Sequence, residues 1–422
     1  CRTEQGLSKA SLEHYIKVCG KQFSKLLSSQ QIQAEADRVW CGVERCLFGN
    51  GKELHFKKLM DFDTIGGKSN KNGARFDLDA MYVNWLGLSL KCYLPKSENS
   101  LSYVWESLKG KISYCNIKRL MFSSGWRYYA EIVVSGDAPT RVLIGTSTMG
   151  IDPGVSTIAG VSEDACVLEE LAPNAIQYEK KIQKISQRMD RSRRISNPNK
   201  YNEDGTINRS NRDPWKYSKN YVKMCRLLKS LYRKKHAYIV DSHRELCNKL
   251  ITIAKYFPVE KMHFQALQKK AKETRRQEKK TEVKQKDGTV KVIQKYKRKK
   301  RFGRSINRRA PARFLLELKR KVEAVGGVYA EVDTKKFKAS QYNHVTDTYE
   351  KIPLSQREKE IGNRKVQRDL YSAFLIRNAD LDFKHPDREK CEYEFEYFAD
   401  MQDQLILKMK ESGLSMRQCF GF

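Results

Sequence analysis

Three carboxylates, far apart in the chain, are the residues whose types could do chemistry together. Asp152 closes the apolar run Met149-Gly-Ile-Asp152 and leads into Pro153-Gly154. Pro153 sets its own φ and Gly154 admits a positive one, so a tight turn follows and Ser156 to Val161 runs back as a second strand. Glu260 ends another apolar run, Tyr256-Phe-Pro-Val-Glu260. Asp369 opens Asp369-Leu-Tyr-Ser-Ala-Phe-Leu-Ile376, an acid in the first turn of a helix. Taken singly each has a plainer reading, since Asp-Pro-Gly is common turn chemistry. As a set, they could hold two Mg²⁺ ions, which need shared carboxylates to sit ~3.5–4 Å apart. One ion would activate a water and the other would stabilise a leaving 3′ oxygen. Asp152, Glu260 and Asp369 are therefore the expected catalytic residues and the expected Mg²⁺ ligands.

The elements that must position these acids follow from periodicity. Residues 8–48 show apolar residues at helical spacing in two stretches, Leu12 to Leu26 and Ile32 to Leu47. From about residue 80 the period becomes two. Leu86, Leu88, Leu90 and Cys92 alternate, then Cys115, Ile117 and Arg119, then Trp126 to Val134. Gly136-Asp-Ala-Pro139 reads as a linker. Residues 175–245 read as two long antiparallel helices around the loop Asn197 to Gly205, with Arg193 and Arg194 on a basic outer face. The stretch 269–309 holds 19 Lys/Arg against 4 Asp/Glu. Within it Thr281 to Lys295 has a hairpin pattern turning at Asp287-Gly288, and Lys297, Arg298, Lys299, Lys300, Arg301 and Arg304 are too charged to pack. With Arg308 and Arg309 they are expected to contact phosphates rather than to act as a localisation signal. Ala310 to Val325 is a helix, Val328 to Val332 a strand, and 334–364 polar and irregular. Phe395 to Met409 marks a last amphipathic helix.

A chain of 422 residues with Lys+Arg 82 against Asp+Glu 50, net +32, is expected to have a polyanionic partner, above all nucleic acid. No apolar run approaches a spanning helix and no signal-peptide pattern is present, so no membrane association and a cytoplasmic location are expected. The eleven cysteines are scattered without a C-x-x-C, which argues against a zinc ribbon and a disulfide framework.

The order of the three acids is that of an RNase H-like fold, and the motifs around them resemble a known family. Gly150-Ile-Asp-Pro-Gly154 is similar to the first RuvC motif of TnpB, the transposon-encoded RNA-guided nuclease, and of the type V CRISPR effectors. Val259-Glu-Lys-Met-His-Phe-Gln-Ala-Leu267 is similar to the second, and Asp369-Leu-Tyr-Ser-Ala-Phe374 to the third. A shifted alignment would put Gln265 at the acid of the second motif. Glu260 is preferred, because Met262, Phe264 and Leu267 then fall on apolar positions. The family commonly carries a four-cysteine zinc finger between the second and third motifs. Here no Cys occurs from 248 to 390, so no zinc is expected.

The resemblance implies an α+β multidomain protein. A helical recognition unit (1–79) and a β-rich, barrel-like wedge unit (80–140) would precede an RNase H-like (RuvC) α/β nuclease domain (141–333) with insertions, the helical hairpin 175–245 and the basic loop 269–309. A target-nucleic-acid-binding insertion lacking zinc cysteines (334–364) and a C-terminal RuvC-like segment (365–422) would follow. It also implies a ribonucleoprotein: a guide RNA (omega RNA or crRNA-like) pairs with target double-stranded DNA while the protein reads an adjacent motif. The implied activity is Mg²⁺-dependent, RNA-guided DNA cleavage within a transposon or CRISPR system. Two alternatives stay open. One is a catalytically inactive RNA-guided repressor, and the other is a transposase-accessory nucleic-acid-binding protein.

Overall fold

The computed structural model describes residues 6–49, 51, 53–57, 61–139, 142–203, 205–268, 276–284, 289–296, 302–353 and 355–420. The chain forms two compact units, Cys1–Thr140 with Ser186–Ser230, and Arg141–Ile185 with Leu231–Phe422. The sequence assigns the whole hairpin 175–245 to the nuclease region, whereas 186–230 groups with the N-terminal unit.

In the first unit, α1 (Lys9–Gly20) and α2 (Ser29–Leu47) begin at Ser8 and Ser28, each closing a reciprocal capping box. Then come β1 (Thr64–Ile65), β2 (Arg75–Asp77), β3 (Tyr82–Trp85), β4 (Leu88–Lys91), α3 (Glu98–Leu108), β5 (Lys111–Phe122) and β6 (Gly125–Ser135). Two three-stranded sheets result, β1-β5-β6 and β2-β3-β4, around a core of Phe76, Val83, Leu108, Cys115 and Ile117. Three features differ from the sequence reading. Strands begin inside the stretch assigned to helices. Helix α3 has no counterpart in the reading. Leu86, read as strand, has φ +47 beside Gly87 at φ +80, the two-residue turn that closes β3 on β4. Alternation alone cannot separate a turn leucine from a strand leucine.

The second unit is built on a mixed sheet. Its strands are β7 (Ser147–Thr148), β8 (Gly150–Pro153), β9 (Thr157–Val161) and β10 (Cys166–Glu170), then, after helices α4 (Ala175–Ser196) and α5 (Lys219–Ile253), β11 (Ala254–Glu260). Next are α6 (Phe264–Gln268), the arm β12 (Arg276–Lys284) and β13 (Val290–Tyr296), α7 (Gly303–Arg309), α8 (Pro311–Ala324) and β14 (Val328–Val332). The order is β10-β9-β8-β11-β14, with β7 also on β11. The β8, β9 and β10 meander is antiparallel, and β8, β11 and β14 run parallel. The arm pairs Thr281 with Ile293 and Lys284 with Val290, while its expected turn, Asp287-Gly288, lies outside the described residues.

Residues 334–364 are more ordered than their polarity suggests. They form α9 (Thr334–Phe337), the hairpin β15 (Tyr342–Asn343) and β16 (Thr348–Tyr349), and β17 (Glu358–Ile361) paired with β18 (Arg364–Gln367). Tyr342 is fully buried, His344 1% exposed and Lys359 5%. Lys359 donates to the Tyr342 carbonyl at 2.7 Å. The Tyr371 hydroxyl meets Nδ1 of His344 at 2.8 Å and accepts its backbone N–H at 3.2 Å. Such buried polar groups are tolerated because they find partners, and hydropathy cannot reveal that.

Helices α10 (Arg368–Arg377), α11 (Arg388–Glu411) and α12 (Met416–Cys419) complete the chain. Two apolar layers flank the sheet. One holds Ile151, Val259, Phe257, Leu250 and Phe314, and the other holds Ala159, Val161, Phe374, Phe395 and Phe398. Among the described residues, no helix is long and apolar enough to cross a membrane.

Candidate active site

Strand register puts two of the acids side by side. Ile151 of β8 pairs with Val259 of β11 in parallel, so the next residues, Asp152 and Glu260, are abreast. Side chains alternate along a strand. Because Ile151 and Val259 belong to one apolar layer, Asp152 and Glu260 point to the opposite face, the one α10 covers. Gly150 makes that cover close: a Cβ there would sit 2.2 Å from the Ala373 carbonyl oxygen and 2.4 Å from the Arg377 nitrogen. Helix α10 starts where the Gln367 side chain accepts the Leu370 N–H, and Asp369 sits in its first turn. The third acid therefore stands over the ends of β8 and β11.

The electrostatics report the same proximity. Burial pushes the Asp152 carboxyl well above the usual range. The charges of Glu260 and Asp369 and a hydrogen bond with Glu260 push further, and Arg368 works against them. Glu260 is also raised, by burial first and by the charge of Asp369. Hydrogen bonds with Asp152 and Thr334 hold it partly back. Two carboxyls can hydrogen-bond only by sharing a proton, so Asp152 and Glu260 titrate as a pair.

Asp369 has cationic company. Its Oδ2 accepts from Arg357 at 3.4 Å, and its Oδ1 accepts from Arg368 at 3.4 and 3.3 Å. Charge-assisted bonds are usually ~2.7–2.9 Å, so these hold Asp369 loosely. Among the described residues no three His, Cys, Asp or Glu side chains form a group that could hold a metal ion as they stand. The donor set nonetheless fits a hard dication: all three donors are carboxylates, and the charges of Asp369 and Glu260 on Asp152, and of Asp369 on Glu260, add to burial in raising those two carboxyls. Holding a cation with all three acids requires Asp369 to leave its arginines.

Gln265 is exposed on α6, beyond the end of β11, whereas Glu260 is in the strand. Arg357, Arg368 and Thr334 were missed by sequence reasoning. Arg368 adjoins Asp369 and could have been noticed; Arg357 lies in a stretch without periodicity.

The expected phosphate-binding residues fare differently from one another. Lys297, Arg298, Lys299, Lys300 and Arg301 lie outside the described residues. Arg304 is exposed on α7. Arg308 is 2.8 Å from Glu179, which Lys235 also reaches at 3.0 Å. Despite burial, these two cations hold Glu179 below the usual range. Arg309 pairs with Glu170. In the other unit, Arg193 and Arg194 both bond Asp190, at 2.9 and 2.8 Å. Arg194 lies 4.6 Å from the Tyr201 ring centroid, and Arg193 5.4 Å from that of Trp215. Four of the arginines expected to contact phosphates, Arg193, Arg194, Arg308 and Arg309, thus already have carboxylate partners within the fold.

No protein-family model and no curated protein matches the chain. Solved structures do. The chain is similar to a Cas12f1 in a cryo-EM Cas12f1–sgRNA–target DNA complex, at 12% identity and a TM-score of 0.50, over 88% of this chain and 76% of that one. A CRISPR–Cas12f ternary complex is 14% identical over 90% and 75% of the two chains, with a TM-score of 0.30, too low to weigh. The fold is mixed α+β and Cas12-like.

Proposed function

We propose that this chain is an RNA-guided DNA endonuclease that cuts through a RuvC-type site built by Asp152, Glu260 and Asp369. The observation that carries the reading is the parallel pairing of Ile151 with Val259, which makes neighbours of two acids more than a hundred residues apart, under a helix that begins with a third. The strand order β10-β9-β8-β11-β14, an antiparallel meander continued by parallel strands, supports an RNase H-like domain. The Cas12-like fold supports the same class. The neighbour it resembles was solved with sgRNA and target DNA, and guide RNA and double-stranded DNA are accordingly the partners proposed here, in keeping with a net charge of +32.

Asp152, Glu260 and Asp369 would hold the Mg²⁺ ions. When bound, the ions supply an activated water and stabilisation of the leaving 3′ oxygen. The chain's own residues do the rest. Asp152 and Glu260, both raised by burial and by neighbouring carboxylate charge, would act as ligands in their deprotonated form. The Thr334 hydroxyl donates to the carbonyl of Lys261, the residue after Glu260, at 2.5 Å. Arg357 and Arg368 keep Asp369 beside the pair. The cover of α10, seated on Gly150, limits water on that face of the sheet.

Asp152→Ala tests the reading: guide-dependent DNA binding should persist while Mg²⁺-dependent cleavage disappears. Cleavage at the parent rate would remove Asp152 from the site. A second reading, an RNA-guided binder that does not cut, is favoured by the two arginines on Asp369. It requires that the parent chain bind target DNA with guide RNA and leave it intact at any Mg²⁺ concentration.

A further inference from the structure

Two arginines meet Asp369 because of strand register. Glu358 of β17 pairs with Gln367 of β18, and one step further the Arg368 N–H donates to the Arg357 carbonyl at 2.9 Å. Arg357 and Arg368 are therefore opposite each other at the end of this antiparallel ladder, and opposite residues project from the same face. That face is the inner one: Lys359, Ile361 and Val366 are buried, whereas Glu358 and Glu360 are exposed. Alternation along the strand thus turns Arg357 inward, against the first turn of α10, where Asp369 follows Arg368.

The two arginines are not held alike. The Arg368 side chain is 9% exposed, and its guanidinium also donates to the Gln356 carbonyl at 3.2 Å, so it is part of the joint between α10 and the segment before β17. The Arg357 side chain is 28% exposed. It reaches Oδ2 of Asp369 across 3.4 Å, whereas Arg368 donates to Oδ1. Each carboxylate oxygen of Asp369 thus faces its own cation. A divalent cation shared with Asp152 and Glu260 needs one of those oxygens, and a guanidinium and a metal ion compete for it. Displacing Arg368 would strand a buried charge, which is costly. Arg357, displaced, can turn to water.

We propose that Arg357 is a counter-ion latch on the third acid: it holds Oδ2 of Asp369 in the metal-free protein, a divalent cation must displace it to engage all three acids, and Arg368 keeps Oδ1 throughout. The latch rests on the proposed function, since it takes Asp152, Glu260 and Asp369 to be the metal site. Arg357 is a positioning residue in this role: it acts through Asp369 and sets the threshold at which the site loads. Linkage makes the latch reciprocal. Metal binding releases the hold of Asp369 on the segment that leads into β17, and any ligand that draws Arg357 away raises metal affinity by the same factor.

The test titrates the full chain, free of nucleic acid, with Mn²⁺ alone and reads unbound Mn²⁺ by electron paramagnetic resonance. Asp152→Ala should weaken Mn²⁺ binding, which locates the metal at the three acids. Arg357→Gln should bind Mn²⁺ about two- to fivefold more tightly than the parent, the effect of losing a partly exposed ion pair. Arg357→Met, which keeps the aliphatic stem, should do the same. In an Asp369→Asn background Arg357→Gln should change nothing, because the coupling between two residues disappears once either is removed. Unchanged or weaker affinity in both Arg357 variants, with Asp152→Ala still weakening binding, would overturn the latch and leave the proposed function standing. Equal tightening with and without the Asp369 carboxylate would mark a general effect of charge and overturn it too. If the parent binds no Mn²⁺, or if Asp152→Ala binds it like the parent, the metal site and the latch fall together.

Discussion

Gly150→Ala is the smallest change that tests how the site is assembled. Gly150 does not have a positive φ, so the added methyl group meets no backbone strain of its own. What it meets is α10. The new Cβ would lie 2.2 Å from the Ala373 oxygen, 2.4 Å from the Arg377 nitrogen and 2.8 Å from its Cα. All three are main-chain atoms of a helix whose residues are buried except Asp369. No side chain can rotate away, and ordinary contact begins near 3.4 Å, so the helix must back off by roughly 1 Å. Overpacking of this kind costs about 1–3 kcal/mol. The loss of glycine freedom in the unfolded chain returns about 0.4–1 kcal/mol, for a net loss of about 1–2 kcal/mol. Function should suffer more than stability, because a shift of about 1 Å in a positioned group can cost about a hundredfold in rate, and Asp369 moves with the helix. Gly160→Ala is the control. Its Cβ would meet the ends of Ile151 and Met149 at 3.1 Å, and those side chains can yield, so its effect should stay below about 1 kcal/mol. Urea denaturation and Mg²⁺-dependent cleavage of both variants decide the matter. A Gly150→Ala protein with parental midpoint and parental cleavage would refute the account of α10 as the element that places Asp369.

Other outcomes are expected from the same site and its surroundings. Glu260→Gln should abolish cleavage and Gln265→Ala should leave most of it; the reverse would reassign the second acid. Asp152 has a folded pKa above its unfolded one, so its contribution to stability is full below the ordinary carboxylate pKa and is lost as pH rises through the folded value. Asp152→Asn should therefore raise the melting temperature of the metal-free protein at neutral pH while removing cleavage, and an unchanged or lower melting temperature would contradict the upward shift of the half-buried Asp152 carboxyl. His344 and His243 behave oppositely. Burial lowers each to about 4, against about 6.5 unfolded. Stability is then full above pH ~6.5 and falls toward pH ~4, by about 3 kcal/mol per imidazole, and His344→Phe should flatten that acid limb in a pH series of denaturation curves. Protein prepared in chelator should contain no stoichiometric zinc by elemental analysis, and one zinc per chain would reveal ligands not recognised here. Replacing Lys297, Arg298, Lys299, Lys300 and Arg301 by Gln should make the log–log salt dependence of nucleic-acid affinity shallower by roughly two to four units; an unchanged slope would mean these residues face solvent.

What the sequence by itself determined is local. The turn after Asp152 is local in origin, although Pro153 still pairs with Ile158 in the ladder and Gly154 to Ser156 make the turn without a positive φ at Gly154. The β-branched and apolar runs before Glu260 and through Val328 to Val332 become strands, and spaced apolar residues make α2, α4, α5, α8 and α11 helices, because 3.6- and 2-residue periods are properties of neighbouring residues. Net charge is likewise a sum over the chain. Only the tertiary structure decided which carboxylates meet. The register of Ile151 on Val259 joins strands separated by two helices, and it is chosen by the packing of both faces of the sheet, a long-range property. The role of Gly150 is invisible in its own neighbourhood, because the atoms it makes room for, in Ala373 and Arg377, are more than two hundred residues away. The charge count also failed to say which cations are already paired. Arg308 and Arg309, next to each other in a basic run, fold onto Glu179 and Glu170, while Arg304 on the same short helix stays exposed. Polarity misled between 334 and 364 for the same reason. His344 and Lys359 look like surface residues until Tyr371 and the Tyr342 carbonyl are brought within hydrogen-bond reach, and a buried polar group is stable only when such a partner, supplied from elsewhere in the fold, is present.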